Sequence, residues 1–505
     1  MVLLKNVKNF TKHYDIIVIG AGAGLGKLGR PATEYGYSVA LCENDKLGGT
    51  CLNRGCIPSK MLIHPAEVAN NIEEAHRFEI DVKKKENSDD LDYDIRFSEM
   101  VSRVCKTIDE ESDSIIPRVE ANQKLDWFVG QTGRFVGERT VQVGSPEDNV
   151  VITADRVFVA CGARALDLSK EIEGLDKTPY MTYREALRNQ KRFKSLIVIG
   201  AGYIATELAH FFASTGTKTN IFVRSGFLKH EDEEVQKEFD RVFSKKKNIN
   251  VIKGMKILKA RYENDEFVLT YSNPSDESSG TIEVRAEGLL VAAGVVPNTD
   301  ILQCDKAGIQ TSKDGFIIVD KFLKSVNAPN VWAFGDVAGN YLFRHNANFE
   351  SEYLMETVIS KMSEPYPIDH TGMPHAVFSQ PQIAGVGLTE QECRKQGLKY
   401  VSVKNNYSAS AMGMALLSQE GFVKIIVERE TRKILGCHIV GHEASTLIHQ
   451  VIVLFRLPGG PKLDDLLNCI YIHPALSEIV RNAARKAKQA LIDAGETVPA
   501  SLYFR

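Results

Sequence analysis

Tyr14-Asp15-Ile16-Ile17-Val18-Ile19-Gly20-Ala21-Gly22-Ala23-Gly24 decides the fold: an apolar run breaks into a glycine-rich turn and opens a helical pattern that gives way to Val39-Ala40-Leu41-Cys42-Glu43. The first glycine of such a turn permits a tight strand-to-helix reversal. The second lets a pyrophosphate approach backbone N–H groups at the positive end of the helix. One copy is weak evidence, because glycine turns also occur as plain turns. The construction returns 180 residues later, as Ser195-Leu196-Ile197-Val198-Ile199-Gly200-Ala201-Gly202-Tyr203-Ile204-Ala205, closing at Asn220-Ile221-Phe222-Val223-Arg224. Two copies in strand–turn–helix context, each with a charged residue ending the next strand, predict two dinucleotide sites on doubly wound, Rossmann-like α/β domains.

The copies differ at informative positions. Leu25 holds the third glycine position of the first copy, with Gly24 and Gly26 on either side, so close helix–sheet packing must be reached there by another route. Glu43 suits a ribose diol, whereas Arg224 places a cation where a 2′-phosphate would lie. With Ala205 as the third small residue, this favours NADPH over NADH at the second site. Lys229 or His230 is a candidate for a second phosphate contact. The plainer alternative makes Arg224 a solvated strand-end residue.

A chain of 505 residues is too long for one core, and 43% hydrophobic with 25% charged residues is a globular composition. The net charge of −3 gives no reason to expect nucleic-acid binding. Apolar runs are short and rich in Gly and Ala, so no membrane span is expected. The first residues carry Lys5, Lys8 and Lys12 without an apolar stretch or an arginine. The expected location is cytoplasmic, with the mitochondrial matrix as the alternative. Of nine cysteines, isolated ones such as Cys105, Cys161 and Cys437 read as reduced core residues. Only Cys51 and Cys56 lie close together, with a spacing that fits neither a zinc knuckle nor a C-x-x-C motif, so no metal is expected.

That pair belongs to Gly48-Gly49-Thr50-Cys51-Leu52-Asn53-Arg54-Gly55-Cys56-Ile57-Pro58-Ser59-Lys60. Two cysteines at this spacing near the start of a helix can close a small disulfide ring. The helix N-terminus lowers a thiol pKa, so that a thiolate persists near neutral pH. Far downstream stands Ile472-His473-Pro474-Ala475-Leu476-Ser477-Glu478. Thiol–disulfide exchange must move protons near neutral pH, which suits a histidine whose ring Glu478 orients.

These two segments, with both glycine turns, resemble the class I pyridine nucleotide–disulfide oxidoreductases, the family of glutathione reductase, dihydrolipoyl dehydrogenase, mercuric reductase and mycothione reductase. The resemblance covers nearly the whole chain. It implies FAD and NADPH (or NADH) as cofactors, and Cys51, Cys56, His473, Glu478, Lys60 and Glu207 as the catalytic set. Electrons would pass from the nicotinamide through the flavin to Cys56, leaving Cys51 to exchange with substrate. Lys60 and Glu207 match the ion pair near the flavin, and Tyr203 the residue that gates the nicotinamide pocket. Asn330-Val331-Trp332-Ala333-Phe334-Gly335-Asp336 resembles the second flavin motif, with Asp336 on the ribityl chain. The cofactor-binding set is then Gly20, Gly22, Gly24, Glu43, Gly49, Thr50, Lys60, Asp336, Gly200, Gly202, Tyr203, Ala205, Arg224 and Gly294. Departures are Arg54, where valine is common, and Cys161 and Ala293, where the interdomain segments usually carry threonine.

The resemblance further implies an FAD-binding domain of residues 1–167 and 298–367, an NAD(P)-binding domain of 168–297, and a C-terminal α+β dimerisation domain of 368–505. In the implied homodimer, His473 of one subunit completes the other's site. No cysteine pair appears in the tail Ser501-Leu502-Tyr503-Phe504-Arg505, unlike large thioredoxin reductases. The stretches 336–348 and 436–445 look most like mycothione reductases. The expected substrate is therefore a low-molecular-weight thiol disulfide. Dihydrolipoyl dehydrogenase, using lipoamide and NAD, is the alternative. A non-enzymatic derivative kept for protein binding is the reading from another class, and intact Cys51, Cys56 and His473 speak against it. Residues 83–94 read as a solvated charged insertion. Residues 457–461 read as a turn that either reshapes the substrate entrance or is a simple loop.

Overall fold

Strand Phe10–Ile19 lies inside a seven-stranded sheet, and Ile16, Ile17, Val18 and Ile19 are all buried. A strand covered on both faces reads as a continuous apolar run, which is why this one does not alternate. The computed structural model describes residues 8–86, 91–276, 278 and 280–498. Parallel to this strand run Val39–Glu43 and, beyond it, Leu125–Val129 on one side, and Val150–Val159 on the other. Val331–Ala333 returns from far along the chain to pair in parallel with Val150–Val159, which also begins an antiparallel extension through Thr140–Val143 and Gly133–Gly137.

The second copy builds a four-stranded parallel sheet in the order Ile249–Lys253, Lys218–Val223, Ser195–Ile199, Gly288–Val291. A three-stranded antiparallel sheet of Lys256–Glu263, Glu266–Ser272 and Thr281–Ala286 lies beside it. Two short strands, Ala163–Ala165 and Val295–Pro297, pair where the chain enters and leaves this unit.

Downstream, His375–Val377, Gln382–Gly387, Ile434–Gly441, Phe422–Glu428 and Tyr400–Asn406 form an antiparallel sheet in that order. Helix Glu478–Asp493 packs on it through Ile479, Val480, Ala483, Ala484, Ala487 and Leu491, all buried, at the spacing of one helical face. The architecture is thus α/β, with two Rossmann-like units and a C-terminal α+β unit.

The charged insertion closes on itself: Lys84 bridges Leu91, and the Asp92 N–H donates to the Lys83 carbonyl at 2.7 Å. Residues 87–90, Lys5 and the 501–505 tail lie outside the described residues. Among described residues, no helix is long and apolar enough to cross a membrane.

Candidate active site

Both glycine turns open onto one continuous cavity of about 2960 Å3. Gly20 and Gly200 have φ of +109° and +134°, and a Cβ on either would lie 2.3 Å from the Ala160 oxygen or 2.2 Å from the Ala292 oxygen. These are the positions where the reversal demands glycine. Gly22 and Gly202 line the cavity, and a Cβ on Gly202 would meet nothing within 4 Å.

Behind the turns the copies part. Ala205 is fully buried in the continuous helix Tyr203–Ser214. In the first copy the helix starts as a wider π-turn, Gly24–Gly29, before Arg30–Glu34 continues as α-helix. A Cβ on Gly24 would stand 2.9 Å from Val18 Cγ1 and 3.2 Å from Ala160 Cβ. Gly24 therefore provides the close helix–sheet approach, and Leu25 turns into the core at 3% exposure. Expected as a cofactor contact, Gly24 sits behind the cavity wall, as does Ala205.

Cys51 lies in helix Gly49–Arg54, and Cys56 is the first residue of a second helix, Cys56–Glu73. Gly55 allows the break, since a Cβ there would come 2.8 Å from the Thr50 oxygen. The sequence suggested a single helix start; two helices meet instead, and both cysteines line the cavity. Both thiols are free, and they hydrogen-bond to each other. The hydrogen bond from Cys56 is the largest influence on Cys51. It outweighs burial and, with the Arg344 and Lys60 cations, lowers the Cys51 thiol to about 7. Cys56, holding the proton beside that thiolate, is pushed up.

Lys60 follows Cys56 by one helical turn. Its Nζ donates to both oxygens of Glu207, at 2.7 and 2.9 Å, and lies 4.4 Å from the centre of the Phe378 ring. The Phe378 N–H donates to Glu207 at 3.0 Å. The redox helix is thereby tied to both the second nucleotide unit and the C-terminal unit. Arg54 is anchored as well, pairing with Asp45, which also binds Arg184 of the second unit. The replacements at the interdomain segments keep a crossing bond: Asn298 Nδ2 donates to the Cys161 oxygen at 2.8 Å.

The residues around the cavity fit the two nucleotides. Glu43 receives the Ala21 N–H at 2.7 Å and the Asp45 N–H at 2.8 Å, which orients the carboxylate and leaves lone pairs for a diol. Burial raises its pKa against these bonds. A Cβ on Gly49 would fall 2.5 Å from Gly22 Cα, so the two backbones form a cradle that admits no side chain. Asp336 lines the cavity and accepts no hydrogen bond from a described residue. Burial, with the nearby Glu350 carboxylate, raises it to about 6. An acceptor so placed suits a polyol hydroxyl. Thr50, Gly294, Arg224, Lys229 and His230 also line the cavity, and so does Lys256, a further cation of the second unit. Among described residues, no cluster of metal-ligating side chains occurs.

Model matches identify the family. Residues 14–351 match the pyridine nucleotide-disulphide oxidoreductase domain, and residues 373–484 match the dimerisation domain of the same enzymes. The chain belongs to the pyridine nucleotide-disulphide oxidoreductases. Mycothione reductase of Mycobacterium tuberculosis is 33% identical over 489 residues, covering 93% of this chain and 98% of that one. Dihydrolipoyl dehydrogenase 3 of Haloarcula marismortui is 30% identical over 491 residues, covering 96% and 99%. The fold matches that of the HOCl-induced flavoprotein disulfide reductase RclA of Escherichia coli, solved as a Cu(II) complex, with a TM-score of 0.80, 24% identity and coverage of 94% and 99%. As a member of this family the protein is an FAD-dependent oxidoreductase that acts on sulfur groups with NAD(P)H and a redox-active disulfide, and its dimerisation domain supports a homodimer.

His473 stands apart from the dithiol. Its side chain is 71% exposed and is not among the cavity-lining residues. The ring Nδ1 meets Glu478 at 3.0 Å, and Glu478 also receives Arg481 at 2.6 Å and the Ala475 N–H at 3.2 Å. Burial acts to raise the Glu478 carboxyl, but these bonds prevail and lower it, so the carboxylate stays charged beside the ring.

Three participants escaped sequence reasoning. Arg344 opens the helix Arg344–Leu354, lines the cavity and forms no ion pair with a described residue. Its Nη1 would lie 3.7 Å from a Cβ on Gly22. Glu350, fully buried, receives the Gly335 N–H at 2.6 Å and Asn340 at 2.9 Å, which fixes the turn carrying Asp336. Lys256 reaches the nucleotide end from another strand. The second flavin motif ends at Asp336, short of Arg344 and Glu350, and nothing in the sequence pointed toward Lys256.

Proposed function

We propose that this oxidoreductase uses NADPH to reduce a low-molecular-weight thiol disulfide of the mycothione type. The observation that carries the reading is the set of basic residues of the second nucleotide unit, Arg224, Lys229, His230 and Lys256, that line the cavity. An adenosine 2′-phosphate suits such a set, and NADPH commonly drives disulfide reduction. Similarity to mycothione reductase supports the substrate class.

In this reading Gly20, Gly22, Gly49, Glu43 and Asp336 hold FAD, which when bound relays reducing equivalents from the nicotinamide to the Cys51–Cys56 disulfide. The Cys51 thiolate attacks one sulfur of the substrate disulfide, forming a mixed disulfide and expelling one thiolate. The partner subunit's His473, oriented by its carboxylate, protonates that leaving group. Cys56 then attacks the Cys51 sulfur as its proton passes to the departing substrate sulfur, which releases the second thiol and restores the Cys51–Cys56 bond. Two electrons and two protons thus convert one disulfide to two thiols. Lys60, fixed by Glu207, favours the anionic sulfur beside it.

The deciding experiment compares NADPH and NADH oxidation by the purified flavoprotein across mycothione, glutathione disulfide and lipoamide. Preference for NADPH with a small thiol disulfide supports the proposal. Efficient NADH-linked lipoamide turnover would overturn it in favour of a dihydrolipoyl dehydrogenase, the activity named for several relatives that are 29–32% identical.

A further inference from the structure

Tyr203 begins the helix after the second glycine turn, where its ring stacks on Phe343 at 5.7 Å and borders the cavity. Its hydroxyl is not left to solvent. It donates to Glu231 Oε1 at 2.5 Å, and the other oxygen of Glu231 meets His375 Nε2 at 2.8 Å. Glu231 belongs to the second nucleotide unit and is fully buried; His375 opens the first strand of the C-terminal sheet.

A buried carboxylate with a single neutral donor would be costly, so the imidazole is what allows Glu231 to remain charged. Burial acts to raise Glu231 and to lower His375, yet their attraction and hydrogen bond reverse both, lowering the carboxyl and raising the imidazole. The backbone of Glu231 is pinned too. Its carbonyl accepts Gln236 Nε2 and Gln391 Nε2, both at 2.8 Å. The next residue, Asp232, binds Lys424 of the C-terminal unit at 2.9 and 3.0 Å. Two consecutive buried carboxylates thus cross the domain boundary, Asp232 to Lys424 and Glu231 to His375, and Glu231 also holds the cavity-lining tyrosine of its own unit.

Gly385 makes room for this arrangement: a Cβ there would stand 2.5 Å from His375 Nε2 and 2.8 Å from His438 Nδ1. The buried His438 donates a hydrogen bond from Nε2 to the Leu388 oxygen at 2.9 Å and keeps Nδ1 without a partner, so it does not compete as a donor for Glu231.

We propose that Glu231 and His375 are positioning residues for Tyr203, holding its ring in a set place beside the nicotinamide pocket, so that the C-terminal unit governs nucleotide entry through a buried hydrogen-bond chain. The proposal rests on the reading that Tyr203 borders that pocket. A tyrosine free to swing would pass through orientations that block or leave the pocket. The chain selects one of them before the nucleotide arrives, which lowers the ordering cost of binding.

The test uses the holoenzyme and the variants Tyr203→Phe, His375→Gln and their combination. Calorimetric titration with NADP+ gives the dissociation constant. Rapid mixing follows flavin reduction by NADPH and, separately, reoxidation of the reduced enzyme by a disulfide. Each single variant is expected to weaken NADP+ binding about tenfold, the double variant no more than either single, and disulfide reoxidation to stay within about twofold. Multiplicative effects in the double variant, or unchanged NADP+ affinity in His375→Gln, would overturn the chain. If Tyr203→Ala also leaves NADP+ affinity unchanged, it is the placement of Tyr203 at the nucleotide pocket that fails. Should His375→Gln lower thermal stability markedly, Gly385→Ala tests the same link by pressing a methyl group onto the imidazole. It is expected to reproduce the affinity loss, and unchanged affinity in that variant too would overturn the proposal.

Discussion

Gly20 and Gly200 share a left-handed backbone state and a carbonyl that forbids a Cβ, yet the helices behind them are built differently. The second unit follows its turn with the regular helix Tyr203–Ser214 and a buried alanine at the third motif position. The first inserts the π-turn Gly24–Gly29, moves the close contact one residue earlier to Gly24, and sends Leu25 into the core. What the two units preserve is therefore the approach of helix to sheet rather than the spacing of the glycines. The wider turn carries the one-residue displacement, since a π-turn accommodates an extra residue without breaking the helix.

The largest effect that would sharpen this comparison comes from Gly20→Ala and Gly200→Ala. Each forces a Cβ onto a backbone oxygen at a φ that disfavours alanine, a strain of several kcal/mol (~4) that the neighbouring strand cannot relieve. Gly20→Ala is expected to yield protein without flavin and with a much lower melting temperature. Gly200→Ala is expected to keep its flavin spectrum but lose nucleotide-driven reduction. Flavin loss of equal extent in both variants would break the separation of the two units.

Next in size is Leu25→Gly, which restores the expected third glycine. Judged by motif alone it should help. In the structure it deletes a buried side chain and adds a flexible residue within the turn, for an expected loss of about 3–5 kcal/mol read from chemical denaturation. A neutral or stabilising result would mean that the third position, not Gly24, carries the packing role.

The sequence made legible whatever short stretches of backbone decide: both turns, the strands that lead into them, the Cys51–Cys56 segment, and the pairing of His473 with Glu478. Each depends on residues within a few positions of one another, or on a residue type with one evident use. Gly24 was read as a ligand contact because motif spacing cannot show which face of a widened turn meets Val18. Glu231 and His375 were illegible for another reason. They act across a unit boundary, and a lone glutamate or histidine in a sequence has no pattern until folding brings its partner close; Arg344 is remote in sequence from Gly22 and Cys51 but meets them within one unit. Lys60 and Glu207 are just as far apart in sequence and were found only through the family resemblance.

That ion pair is also where the two nucleotide units meet chemically, since Lys60 follows the dithiol and Glu207 lies in the second unit's helix. With Cys51 lowered to about 7, its alkylation in the reduced enzyme should rise about tenfold per pH unit below that value and level off above it. Cys56→Ala removes the largest cause and is expected to move the midpoint up the most, Arg344→Ala less, and Lys60→Met least. A midpoint unmoved by Cys56→Ala would separate the acidity of Cys51 from its neighbour's proton.

The smallest expected effect concerns the ends of the second strands, where Glu43 and Arg224 occupy matching places. Glu43 is held by two backbone N–H groups, whereas Arg224 is exposed and makes no ion pair with a described residue. An exposed cation acts through screened attraction, and Lys229, His230 and Lys256 would partly cover its loss. Arg224→Ala should therefore lower kcat/KM for NADPH about tenfold, roughly 1.4 kcal/mol, while leaving NADH nearly unchanged. The deficit should shrink as salt is added, because ions screen the wild-type attraction and leave less for the variant to lose. If both nucleotides suffer equally, or neither does, Arg224 is a solvated strand end, the contrast with Glu43 loses its functional meaning, and the preference for NADPH has to come from Lys229, His230 or Lys256.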